Sequence, residues 1–340
     1  MKPFPAVRRR FLSVLGASAA FAALPFARAA QPDVPMPVVW KGTALGALAS
    51  ITLVHEDRAH ARAVLDDCVA EIERLERVFS LYRADSALSR LNVAGVLREP
   101  PSDLVELLST SLSLARVSDG AFDPTIQPLY RLYEAHFRAP DAAPEGPDAD
   151  AIARVLGLVD HRRVELAADR IAFGVRGMAL SLNGIAQGHV TDRVADRLRR
   201  EGFDGVAIDL GEARAMGRRA DGNPWTAVVV DPERPSRTLF ELTMGDAPGQ
   251  VQALATSAGA GTRFGPDPRV HHLFDPRTGR SANRYASVSV AASRATIADG
   301  LSTALSVVAP ARRQALLAAH ATARAWFVHP DGHIETVSAA

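Results

Sequence analysis

Apolar and polar positions alternate along this 340-residue chain at two different periods, with no regular strand–helix–strand spacing. Between Asp57 and Phe79 the apolar residues Ala61, Val64, Leu65, Cys68, Ile72, Leu75 and Val78 recur at helical spacing, which predicts an amphipathic helix. The opposite face offers Asp66, Glu71, Glu73, Arg74 and Arg77 to solvent. Pro100 to Val117 predicts a second helix, with Ser102 and Asp103 as cap candidates and a stop near Gly120. Trp40 to Val54 reads as extended structure in which Gly42 and Gly46 mark a bulge. The pattern then predicts a short helix over Ala151 to Leu158, a hairpin over Arg163 to Phe173, and a strand from Ala179 to Asn183 running into a helix from Ala186 to Glu201. Strands follow at Gly205–Leu210, Trp225–Val230, Ser287–Ala291 and Ala323–Val328, with helices at Thr296–Val308 and Ala311–Ala319. Ala139 to Asp150, rich in Pro, Asp, Ala and Gly, is a surface loop. Such a mixture predicts an α+β fold, a large mixed or antiparallel sheet flanked by helices.

The N-terminus changes the picture. Arg8-Arg9-Arg10-Phe11-Leu12-Ser13 leads into an apolar stretch to Phe26 and ends at Ala27-Arg28-Ala29, the layout of an export signal. Its Arg-Arg-x-Phe-Leu form points to the twin-arginine route. Residues 1–29 are therefore read as an address, residues 30–340 as a single domain, and the mature chain as periplasmic. The whole chain carries +1; without the signal it has 34 basic against 38 acidic residues, formally −4. No strong field for nucleic acid exists, and no run of eighteen apolar residues calls for a membrane span. Cys68 is the only cysteine, so an intramolecular disulfide is excluded.

Chemistry concentrates in a few segments. Ala298-Asp299-Gly300-Leu301-Ser302-Thr303 opens a helix with an acid and a hydroxyl four residues apart, hence on one face. Two hard oxygens so placed suit magnesium, which completes its shell with water and substrate phosphate. Thr296-x-x-Asp299 also fits a capping box, which would explain Asp299 without a metal but not Thr303. His272 lies three residues before Asp275, and either can serve as a base near neutral pH; His271 and His272 would face opposite ways in a strand. Gly120-Ala121-Phe122-Asp123-Pro124 offers a carboxylate to a ligand or closes an Asx turn. Ser181-Leu182-Asn183-Gly184-Ile185-Ala186-Gln187-Gly188-His189 places glycines at a helix start, where free N–H groups meet anions. Neither a dinucleotide fingerprint nor a P-loop is present, and zinc and nucleophile-elbow spacings are absent.

Taken in order, FSLYRADSALSRLN, GAFDPTIQPLY, SLNGIAQGHVTDRVADRLRREG, DLGEARAMGRRADGNPW, ATSAG, HHLFDPRTG and ADGLSTAL resemble the ApbE family of FAD:protein FMN transferases. The resemblance spans residues 79–305. It implies a magnesium-dependent enzyme that cleaves FAD, attaches FMN by a phosphoester to a threonine of a client protein, and releases AMP. The client implied is an exported respiratory flavoprotein subunit. By position Asp299, Thr303 and the carbonyl of Ala186 would hold Mg2+; Tyr82, Ala121, Phe122, Asp123, Asn183, His189 and Leu273 would line the FAD site; His272, with Asp275 as the other candidate, would activate the acceptor. Three positions depart from the family pattern: Lys41 where a methionine is usual, Gln187 where a lysine is usual, and Ala258 where a glycine is common. The Asn-Gly-Ile-Ala-Gln form and the twin-arginine signal are similar to the NosX-like branch. Two other readings use the same residues: an FAD pyrophosphatase with water as acceptor, and a periplasmic flavin carrier without turnover.

Overall fold

In the computed structural model, residues 20–21 and 36–339 are described, so the export-signal reading of residues 1–29 falls almost wholly outside the described residues. Eight strands form the main sheet: β1 (Val38–Ala44), β2 (Ala47–Val54), β3 (Gly205–Asp209), β4 (Ala213–Met216), β5 (Ala253–Ala258), β6 (Ser287–Ala292), β7 (Arg324–Val328) and β8 (Ile334–Ser338). Their order across the sheet is their order along the chain. Every pairing is antiparallel. The α+β expectation holds, and the main sheet is antiparallel rather than mixed.

Helices enter as insertions into this meander. Between β2 and β3 lie α1 (Arg58–Phe79), α2 (Ala87–Ala94), α3 (Ser102–Val117), α4 (Gln127–His136), α5 (Ala149–Leu156) and α6 (Ala186–Arg200). Between β6 and β7 lie α7 (Ala295–Val307) and α8 (Arg313–Ala318). The strand period of two sorts side chains to opposite faces. Ile51, Leu53, Val206 and Ile208 join the apolar stripes of the helices in the larger core. Ala207, Ala213, Ala215 and Leu254 face the other way. A hairpin of Trp225–Asp231 and Arg234–Met244 covers them with Trp225, Ala227, Val229 and Met244. Helix α1 follows its pattern closely: Asp57 caps it by accepting from Ala59 and His60 N–H, and all seven apolar positions are buried.

Three local expectations fail for identifiable reasons. Trp40 to Val54 is two strands, not one with a bulge. They meet at Leu45 (φ 48°) and Gly46 (φ 85°), the double positive φ of a two-residue hairpin turn. Gly42 is needed instead beneath the Trp40 ring, whose nearest carbon a Cβ would meet at 2.4 Å. Ala179, Leu180 and Leu182 are buried, but the stretch from Ala179 to Asn183 joins no sheet. The Asn92 side chain supplies its ladder instead, donating to Leu180 O at 2.8 Å and accepting from Leu180 N at 2.7 Å. Helix α3 starts after Pro101 with no side-chain cap, because Asp103 is held by Arg74 at 2.7 Å and Arg193 at 3.4 Å.

Candidate active site

Helices α6 and α7 cross near their N-termini, where Gly188 meets Ala295 and Asp299, and together they form the floor of a cleft. Ala186 enters from α6, and Asp299 and Thr303 from α7. Loops supply the walls: Tyr82 after α1, Ala121, Phe122 and Asp123 before α4, Asn183 before α6, and His272 and Leu273 after β5. Ten of the twelve residues singled out from the sequence thus converge on one cleft, although they are separated by more than two hundred positions in the chain.

The other two do not line it. His189 lies on α6, buried behind Phe79 with the rings edge-on at 5.5 Å, and its Nε2 has no hydrogen-bond partner. The carboxylate of Asp275 is consumed locally. It accepts from Arg277 N at 3.0 Å and from the Arg277 guanidinium at 2.9 Å, which shapes the turn into Gly279 rather than facing a ligand. The Asp123 carboxylate is also spent, although it lines the cleft. It accepts from Thr125 N and Oγ1 at 2.8 and 2.6 Å and from His161 N and Nδ1 at 3.1 and 3.0 Å. Its Asx turn, not a free oxygen, is what the loop uses it for.

The cleft floor is acidic. Asp299 is buried, and Gly188 N donates to its Oδ2 at 3.0 Å. This bond excludes the capping-box reading, since the carboxylate reaches across to α6 instead of back along its own helix. Among the described residues no Lys or Arg pairs with Asp299, and burial pushes its carboxyl up to about 7, against the pull of Gly188 N–H. Glu212, at the turn between β3 and β4, lines the same floor. Burial, the nearby Asp299 and then Asp209 push its carboxyl well above the usual range. Thr303 Oγ1 sits 3.4 Å from Gly184 O and 3.3 Å from Ser257 Oγ. Gly184 cannot carry a side chain here, because a Cβ would meet Thr303 Oγ1 at 2.8 Å. A carboxylate, two hydroxyls and a carbonyl are hard oxygens, and the buried charge of Asp299 lacks a counter-ion. That donor set fits Mg2+.

One wall holds an imidazole. Nδ1 of His272 faces Thr262 O at 3.2 Å, which assigns the proton to Nδ1 and leaves Nε2 as a lone pair. Burial holds this imidazole down to about 4, so it is neutral at physiological pH. His271 is buried outside the cleft lining with its ring against Gly259, so only one of the pair serves the pocket. At the mouth, Tyr82 is 66% exposed and hydrogen-bonds the Asn183 side chain.

Several lining residues fall inside the segments quoted from the sequence but are assigned no role there, among them Glu212, Ser257, Gln127 and Tyr130. Glu212 had a usable signal: with Asp209 it is one of two acids inside the otherwise apolar run from Val206 to Ala213. Ser257 had none, because its partners Ser302 and Thr303 are forty-five and forty-six positions away.

Residues 45–327 match the model of the ApbE family. The chain is 31% identical to a FAD:protein FMN transferase of Vibrio cholerae over 256 residues, which is 73% of this chain and 74% of that protein. It is 30% identical to one of Treponema pallidum over 301 residues, 81% of this chain and 80% of that protein. Among solved structures, the flavin transferase ApbE from Vibrio cholerae superposes with a TM-score of 0.75 at 25% identity, covering 89% of this chain and 98% of that one. The ApbE protein of Thermotoga maritima gives 0.76 at 25% identity, covering 88% and 96%. An antiparallel sheet in chain order, a buried aspartate where two helices cross and this degree of likeness lead to one conclusion: the chain belongs to the ApbE family.

Proposed function

We propose that this protein is a flavin transferase that moves FMN from FAD to a threonine hydroxyl of a client protein, with Mg2+ as cofactor, in the periplasm. The observation that carries the reading is the pairing of two buried groups in one cleft: Asp299, a carboxylate without a counter-ion, and His272, a neutral imidazole with a free Nε2. Asp299 and Thr303, with the carbonyl of Ala186, would hold the cation. When bound, it neutralises the diphosphate and polarises the phosphorus under attack.

The chain's own groups do the rest. His272 Nε2 takes the proton of the acceptor hydroxyl, which is a weak nucleophile without a base. The hydroxyl oxygen bonds to the phosphorus on the FMN side, the bond from that phosphorus to the bridging oxygen breaks, and AMP leaves with the bridging oxygen. Thr262 O keeps the imidazole in the accepting tautomer. Phosphoryl transfer of this kind asks mainly for alignment and charge neutralisation, which agrees with a floor of fixed oxygens and no covalent nucleophile. Because Nδ1 of His272 is committed to a carbonyl and Asp275 to Arg277, His272 is the base of choice.

The test is incubation with FAD, with and without Mg2+ and a threonine-bearing exported flavoprotein subunit, read by in-gel flavin fluorescence and AMP release. Mg2+-dependent labelling of the client with matching AMP supports transfer. AMP release at the same rate without client makes the protein a pyrophosphatase, and retention of intact FAD under all conditions makes it a carrier.

A further inference from the structure

We propose that Asp192 is a positioning residue for the cation site: from α6 it caps the N-terminus of α7 and so fixes where Asp299 presents its carboxylate. The proposal rests on the cation reading of Asp299 and Thr303 above. Neither helix caps itself, for Ile185 and Arg294 at their starts make no side-chain cap bond, yet the first N–H groups of any helix need acceptors. Each helix takes the aspartate of the other. Asp192 Oδ1 accepts from Ala295 N at 2.9 Å, and Oδ2 accepts from Thr296 N at 2.9 Å and Thr296 Oγ1 at 2.6 Å. In return Asp299 Oδ2 accepts from Gly188 N at 3.0 Å.

The exchange leaves little slack. A Cβ on Gly188 would lie 2.3 Å from Ala295 O and 2.8 Å from Asp299 Cβ, so the helices touch backbone to backbone between the two bonds. Asp192 is fully buried and is also gripped by Arg214 from β4 and by Arg294 at 3.2 Å. One carboxylate thereby ties α6, α7 and the sheet together. Asp299 stands about one turn beyond the N–H groups that Asp192 holds, so a tilt at the start of α7 displaces it directly. Gly188 occupies Oδ2, and Oδ1 is the oxygen left for a cation. Ligand distances in a metal site tolerate shifts of only about 0.2 Å.

The experiment titrates Mn2+, a probe for the Mg2+ site, into flavin-free protein and reads the free ion by electron paramagnetic resonance, alongside the melting temperature. Asp192→Ala should weaken Mn2+ binding about 10- to 100-fold, as loss of a ligand-orienting partner does. The Mg2+ needed for half-maximal AMP release should rise in parallel, while kcat at saturating Mg2+ stays within several-fold. Thr296→Val removes one donor and leaves the ion pairs, so it should shift Mn2+ affinity the same way by less; it carries the test alone if Asp192→Ala does not fold. A variant that melts earlier yet binds Mn2+ like the wild type overturns the positioning role. Wild-type protein that takes up no Mn2+ overturns the cation reading itself, and the proposal with it.

Discussion

Two buried aspartates face each other across the α6–α7 crossing, and the chain treats them in opposite ways. Asp192 has no exposed surface, accepts from three donors on α7, and is matched by Arg214 and Arg294. Asp299 is 4% exposed, accepts from one backbone N–H, and has Glu212 rather than a cation nearby. Residue type and burial are the same; only the first has its charge completed by the protein. Taking a carboxylate out of water costs several kcal/mol unless a partner offsets it. Asp192 is built to hold structure, and Asp299 is built to be completed from outside. In the proposed reaction a divalent ion, with its phosphate-bearing substrate, would supply what the floor of the cleft lacks.

The isosteric amide separates the two most sharply. Asp192→Asn strands Arg214, which is 3% exposed, without its counter-charge, and should cost ~3–5 kcal/mol of stability, read by denaturant melts. Asp299→Asn removes a charge that nothing balances, so the metal-free protein should melt no earlier than wild type, while Mn2+ uptake and FMN transfer are lost. Equal destabilisation by both substitutions would erase the distinction.

His272 extends the comparison to a base that burial alone keeps uncharged. His272→Ala should slow transfer by ~10²–10⁴ without changing Mn2+ affinity, since no carboxylate of the floor acts on its imidazole. Its imidazole is held at about 4, below the ordinary 6.5, so the acid limb of kcat/KM should fall near pH 4 rather than 6.5. The stability sign follows from the same shift. Between pH 6.5 and 4 the unfolded chain binds this proton and the folded chain does not, so the stability this group contributes is lost as pH falls through that window. A limb at 6.5 in the metal-saturated enzyme would remove His272 from the role of buried base.

How legible all this was depended on what each residue answers to. Helix α1 could be drawn from spacing because its seven apolar positions answer to one local period and Asp57 caps it from the adjacent position. Asp299 and Thr303 were legible for the same reason, being four apart on one helix. The strand expected at Ala179 to Asn183 failed because its hydrogen-bonding partner is a side chain eighty-eight positions away, and an Asn amide leaves no periodic trace. Asp192 was invisible: in the sequence it is one more acid on a charged helix, and only the crossing gives it Ala295 and Thr296. The order of segments pointed to the cleft as a whole, but not to which carboxylates in it were already spent. Asp123 and Asp275 lost their free oxygens to partners set by turn geometry.

The smallest predicted effect gives Asp299 what Asp192 already has. Gln187 lines the floor with Asp299 and Glu212. Its amide lies over Gly211, where an added Cβ would be 2.3 Å from Nε2, so the side chain runs beside Glu212 rather than out to solvent. Gln187→Lys should carry an ammonium to those carboxylates. A charge-assisted bond there is worth ~1.5–3 kcal/mol, so the metal-free protein should melt later, and the further rise on adding Mg2+ should shrink by about as much. FAD should bind more tightly without Mg2+, because an ammonium on the cleft floor would attract its phosphates. If the lysine leaves the melting temperature and the Mg2+ increment where they were, the floor does not want for positive charge. The contrast between the two aspartates would then rest on packing alone.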